Sequence, residues 1–65
     1  MAIWGNDIKK GKPNDIFCST QADKDGLPAF AAEYDLKPGS TCLCIGTGRN
    51  SVVYAMNDES SWIQL

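Results

Sequence analysis

The strongest constraint on the fold of this chain is the pattern of its C-terminal segment, Thr41 to Leu65. Three short runs rich in β-branched and aromatic residues alternate there with polar or glycine-containing loops; the runs are TCLCI, SVVYAM and WIQL. Such runs predict strands, and loops of about five residues join antiparallel neighbours. The segment therefore predicts a three-stranded meander, in which the loop GTGRN (residues 46–50) closes the first hairpin.

One short helix is predicted just before this meander. The run LPAFAAEY contains good helix formers, and Pro28 suits the first turn of a helix. Pro38 disfavours helix at the residue before it, so we expect the helix to end by about Leu36. The sequence KPGS that follows places proline and glycine where a type II turn needs them.

The N-terminal part adds a strand to this plan. Residues 16–20, IFCST, are short, β-branched and aromatic, which predicts a strand. The sequence leaves open whether residues 1–20 belong to the sheet or form an arm that reaches a neighbour. The prediction is a single small α+β domain over residues 1–65. Its antiparallel sheet comprises the meander and one N-terminal strand, with one short helix.

The meander carries apolar side chains on both of its faces. In SVVYAM, one face would hold Val52, Tyr54 and Met56, and the other Val53 and Ala55. A sheet that is apolar on both sides needs cover on both sides. A chain of about 65 residues is only marginally stable alone, and one short helix covers one face. We therefore expect self-association or another protein to cover the second face. The interface candidates are the apolar residues Tyr54, Met56, Trp62, Val52 and Trp4.

Three cysteines, Cys18, Cys42 and Cys44, raise the alternative of a metal or redox site. Cys42 and Cys44 would point to one face of a strand, and Cys18 could lie on a neighbouring strand beside them. Structural zinc sites use four ligands, and the odd number of thiols argues against a disulfide framework. The expectation is buried reduced thiols with no metal and no cofactor, and zinc content per chain would test the metal-thiolate alternative.

Several functional classes are disfavoured by composition. The chain has no histidine, which removes Ser-His and Cys-His catalytic pairs, so we expect no enzymatic activity. A net charge of −2 without a basic run gives no indication of direct nucleic-acid binding. The start MAIWGNDIKK lacks the apolar core of a signal peptide, and no run approaches the ~20 apolar residues of a membrane span. We expect a protein made in the cytoplasm without membrane contact.

The last 45 residues or so also resemble a short module of tailed-bacteriophage structural proteins. The shared features are a proline-glycine-serine turn, a threonine-glycine after a strand, a "VY" strand, a polar turn and a late tryptophan. In this chain they are Pro38, Gly39, Ser40, Thr47, Gly48, Val53, Tyr54, Asn57, Asp58 and Trp62. The loop GTGRNS differs from the tighter acidic turn usual in such modules, which bears on the hairpin register.

The resemblance implies a non-enzymatic virion accessory protein, located in the head, head–tail or fibre region. Such a protein would act through contacts with other virion proteins or with copies of itself. The alternative is a small phage-encoded soluble inhibitor that binds a host protein. Such inhibitors are often acidic and mimic nucleic acid. The net charge of this chain is only −2, which makes that form of inhibition a weak candidate.

Overall fold

The computed structural model describes residues 3–46 and 51–65. These residues form one sheet, a 3-10 helix and one α-helix. The elements in chain order are β1 (Ile3–Gly5), β2 (Asp15–Cys18), the 3-10 helix (Gln21–Gly26), α1 (Leu27–Tyr34), β3 (Thr41–Cys44), β4 (Val52–Met56) and β5 (Trp62–Gln64). Within these described ranges, no helix has the length and apolar character needed to cross a membrane.

The sheet has five strands in the order β1-β2-β3-β4-β5. Strands β3, β4 and β5 pair antiparallel, which confirms the predicted meander. Strands β1 and β2 also pair antiparallel, so the described part of the N-terminal region belongs to the sheet. The first hairpin register pairs Cys44 with Val52, while residues 47–50 of its loop lie outside the described residues.

The sheet differs from the prediction in strand number and direction. It has five strands rather than four, and β2 runs parallel to β3, so the sheet is mixed. The physical reason is the crossover between these strands, in which α1 carries the chain back along the sheet before β3 begins. A parallel pair needs such a crossover of a dozen or more residues. The strand–helix–strand order therefore predicts a parallel pair at this position.

The helix and its turn agree with the sequence. Helix α1 begins at Leu27 with proline in its first turn and ends at Tyr34. The next turn has a hydrogen bond from the Ser40 N–H to the Lys37 carbonyl (3.1 Å) and a φ of +98° at Gly39. A type II turn needs that positive φ at its third residue, where glycine has no steric penalty.

The hydrophobic core lies between α1 and one face of the sheet. The helical side contributes Leu27, Phe30, Ala31 and Leu36, and the sheet contributes alternate residues of its strands. The buried sheet residues are Ile3, Ile16, Cys18, Cys42, Cys44, Tyr54 and Met56. The period of two along each strand places these side chains on one face. We call this side of the sheet the helix face.

A disulfide joins β2 to β3 within this core. The parallel register places Cys18 opposite Cys44, with their Cα atoms 4.5 Å apart, and the two sulfurs are bonded. The expectation that all three thiols are reduced is wrong for this pair. An odd number of cysteines excludes full pairing, but it does not exclude one bond between two cysteines that face each other across neighbouring strands.

Reduction of this disulfide is expected to destabilise the protein. The bond spans 26 residues of chain, and the chain-entropy model gives about 3.5 kcal/mol for a loop of that length. Urea unfolding with and without a dithiol reductant measures the change. The Cys42→Ala variant is the control, because it keeps the bond and should show a similar loss on reduction. An unfolding free energy that reduction leaves unchanged would contradict the cross-link.

The beginnings of the parallel strands are joined by a buried serine. Ser40 is fully buried, and its hydroxyl accepts a hydrogen bond from the Asn14 N–H (3.0 Å) and donates one to the Lys37 carbonyl (2.7 Å). The Thr41 N–H also donates to the Asn14 carbonyl (2.9 Å). The turn before β3 is therefore fixed to the residue before β2.

We expect Ser40→Ala to lower the free energy of unfolding by about 1–3 kcal/mol, because it leaves the Asn14 N–H without its acceptor. Denaturant unfolding of the oxidised protein is the measurement. Ser19→Ala is the matched control, since Ser19 is exposed and a surface change of this kind usually stays within about 0.5 kcal/mol. Equal stability of the two variants would show that the serine hydroxyl is not required.

Candidate functional site

The face of the sheet opposite α1 carries an apolar surface. The strand register places Trp4 beside Phe17, Phe17 beside Leu43, and Leu43 beside Val53, in one row across four strands. Three more apolar side chains extend this row along the strands. We call the whole set the open face: Trp4, Phe17, Leu43, Ile45, Val53, Ile63 and Leu65.

The open face leaves large apolar side chains in contact with solvent. Its most exposed members are Trp4 (40%), Ile45 (41%), Val53 (37%), Ile63 (46%) and Leu65 (74%). At one end of the row, the rings of Trp4 and Phe17 lie with centroids 6.0 Å apart. Single exposed apolar residues are common on proteins, but a contiguous set across one sheet is typical of an interaction surface.

The predicted interface residues divide between the two faces. Trp4 lies on the open face and is exposed. Tyr54 and Met56 are 6% and 4% exposed and belong to the core, while Val52 and Trp62 are half-buried on the same side. These four residues therefore lie on the helix face and not on the less covered face, while their role in an interface stays a prediction. The sequence shows that β4 is apolar on both sides, but it does not state which side α1 covers.

The second notable group is a cluster of three sulfurs on the helix face. The Sγ atoms of Cys18, Cys42 and Cys44 all lie within 4.8 Å of one another, and all three residues are fully buried. Cys42 Sγ is 3.8 Å from Cys44 Sγ, which is bonded to Cys18. The cluster forms because Cys42 and Cys44 share one side of β3 and β2 brings Cys18 beside them. The structure therefore confirms the grouping of the three cysteines that the sequence analysis raised, while the metal-thiolate role stays an untested alternative.

Cys42 keeps a free thiol in this cluster. Desolvation by burial raises its pKa to about 11, from an ordinary value of 9.0. A reactive cysteine needs the opposite change, because the thiolate is the nucleophile. The oxidised cluster is therefore unsuited to nucleophilic or thiol-exchange chemistry at neutral pH.

We expect Cys42 to react slowly with iodoacetamide at pH 8 in the native oxidised protein. The higher pKa lowers the thiolate fraction about 100-fold, and greater intrinsic nucleophilicity restores about tenfold of this. Alkylation should therefore be at least about tenfold slower than in the urea-unfolded, oxidised protein, and burial adds to this protection. Mass spectrometry over time measures both rates. Equal rates would show that the thiol is accessible.

Comparison with known proteins gives no assignment: no family model, curated protein or solved structure matches this chain. Thr47 and Gly48, which belong to the phage-module pattern, lie outside the described residues. Function is therefore argued from the open face and the sulfur cluster.

Proposed function

We propose that this chain is a non-catalytic assembly module whose open face packs against a second copy of the chain. The biological setting we propose is that of a tailed-phage virion accessory protein, following the sequence resemblance at Pro38–Ser40 and the strands after it. The single observation that supports the assembly role is the apolar row from Trp4 to Val53, which is exposed at both ends and half-buried at Phe17 and Leu43.

The chemistry of the open face favours a protein partner. Its members are aromatic and aliphatic, and aromatic residues are enriched at the centres of protein interfaces. The polar groups on this side are partly engaged with each other, since the Thr41 hydroxyl donates to the Asp15 carboxylate. A partner sheet could therefore bury the apolar row while the Thr41 hydroxyl stays hydrogen-bonded to the Asp15 carboxylate at the edge of the interface.

The size of the molecule is compatible with a small homodimer. It measures 33 × 22 × 16 Å, so its broadest side has a projected area of about 700 Å², of the same order as the ~800 Å² that each partner buries in a standard interface. Two sheets pack face to face at about 10 Å, with α-helices left on the outside. A two-fold axis between the open faces would produce a closed, self-complementary pair.

A matched pair of lysine substitutions tests this assembly. Ile63 and Gln64 are adjacent in β5, are both exposed, and point to opposite faces, because their partners in β4 are Ala55 and Tyr54. Ile63→Lys should weaken dimerisation at least about tenfold, since it removes an apolar contact of about 1.5–3 kcal/mol and introduces a charge. Gln64→Lys adds the same charge on the helix face and should change the dimer dissociation constant less than about twofold.

Sedimentation equilibrium over a concentration series measures the dissociation constants, and thermal melts verify folding of each variant. Val53→Lys, in the strand next to the central one, should weaken association at least as much as Ile63→Lys. A wild-type chain that stays monomeric at millimolar concentration, or equal effects of Ile63→Lys and Gln64→Lys, would refute self-association through this face.

The phage setting needs a separate experiment. Mass spectrometry of purified particles should detect a virion component at fixed copy number. A protein that is abundant in infected cells but absent from particles would favour the inhibitor alternative. That outcome would refute the virion assignment while leaving the dimerisation result intact.

A further inference from the structure

The three-sulfur cluster has no part in assembly through the open face, because it lies on the other side of the sheet. We propose that, once the Cys18–Cys44 bond is reduced, Cys18, Cys42 and Cys44 bind one Cu(I) ion through their three thiolate sulfurs. The disulfide and the metal site are then two alternative states of the same three residues.

The positions of the sulfurs suit a three-coordinate ion. A metal–sulfur bond of about 2.3 Å in a trigonal arrangement separates the sulfurs by about 4.0 Å. Cys42 Sγ and Cys44 Sγ already lie 3.8 Å apart, and all three sulfurs lie within 4.8 Å of one another. Reduction separates Cys18 from Cys44 to a non-bonded contact, and binding of the ion then requires the Cys18 sulfur to take up similar distances to both sulfurs of β3.

The ligand set favours a soft monovalent ion over zinc. Thiolates are soft ligands that select Cu(I) and zinc, but structural zinc is almost always four-coordinate. Among residues 3–46 and 51–65, no histidine or carboxylate joins the three cysteines as a further ligand. All three cysteines are fully buried, so the site also has no direct opening to water for a fourth ligand.

The scaffold holds these ligands in place before the metal arrives. Cys18 and Cys44 are direct partners in the β2–β3 register, and Cys42 occupies the adjacent position on the same side of β3. Sites built on strands are positioned more accurately than sites built on loops.

The proposed conversion balances in two steps. Two molecules of a monothiol reductant such as glutathione supply two electrons and two protons. They form their own disulfide and leave Cys18 and Cys44 as thiols. Cu(I) then binds the three sulfurs and releases up to three protons, with no change in metal oxidation state. Because protons compete with the ion, the apparent affinity should rise with pH.

The test uses the full chain, reduced and kept under anaerobic conditions, with Cu(I) supplied as its acetonitrile complex. Competition with a chromophoric Cu(I) chelator gives stoichiometry and affinity, and X-ray absorption spectroscopy gives the number of sulfur neighbours. We expect one Cu(I) per chain with three sulfur neighbours at about 2.3 Å. The oxidised protein should bind at least about 100-fold more weakly, because two of its sulfurs are bonded to each other.

Two variants separate ligation from packing. Cys42→Ala removes the third sulfur but keeps both partners of the disulfide, and it should weaken Cu(I) binding at least tenfold and leave two sulfur neighbours. Val52→Ala, which trims a half-buried side chain paired with Cys44, should stay within about threefold of wild type. Equal affinities of wild type and Cys42→Ala would overturn the three-sulfur site, as would a failure of the reduced wild-type chain to bind Cu(I).

Zinc and protein stability provide further decisive readouts. Tighter binding of Zn(II) than of Cu(I) in the same competition would overturn the assignment to a monovalent ion. If the reduced chain is unfolded, Cu(I) should restore its β-sheet circular dichroism, since binding to the native state alone stabilises that state. Absence of that recovery would refute the site. All these outcomes are independent of whether the open face dimerises.

Discussion

The parallel pairing of β2 with β3 is the interaction on which the rest of this structure depends. It joins the N-terminal hairpin to the C-terminal meander, and it is held at both ends. At the start, the Asn14 N–H donates to the Ser40 hydroxyl and the Asn14 carbonyl accepts from the Thr41 N–H, and at the far end Cys18 is bonded to Cys44. The crossover between the two strands also brings α1 over the helix face. Without this pair, the molecule would be a two-stranded hairpin and a separate three-stranded meander, and an isolated two-stranded hairpin is at best marginally stable in water.

The same pairing explains why one side of the sheet remains open. The chain places its one described α-helix in the β2–β3 crossover, and that helix has eight residues. Leu27, Phe30 and Ala31 bury against the helix face, and no second helix in the described part of the chain reaches the other side. Both faces of the central strands are apolar, and the single helix covers only one of them, so apolar side chains remain exposed on the other. The open face is thus a consequence of a short chain with a two-sided sheet.

Local sequence signals predicted the α-helix and most of the strands well. The strand direction, the covered face of the sheet and the disulfide depend on tertiary contacts. The meander, the Pro28 helix and the Gly39 turn follow from short-range rules, and the structure confirms them. The parallel direction of β2 follows from the strand–helix–strand order, whereas the meander alone suggests an antiparallel sheet throughout. Alternation along β4 defines two faces but does not indicate which one the helix covers, so the burial of Tyr54 and Met56 against α1 does not follow from the pattern. The Cys18–Cys44 bond depends on a register that no local pattern encodes.

The sulfur cluster and the open face are opposite sides of the same two strands. Leu43 lies between Cys42 and Cys44 in β3, and Phe17 lies between Ile16 and Cys18 in β2. The bond that fixes Cys18 against Cys44 therefore also fixes Phe17 beside Leu43, in the middle of the open-face row. A change in the sulfur state would therefore act on these two strands from the helix face, and a partner would contact the same two strands from the open face.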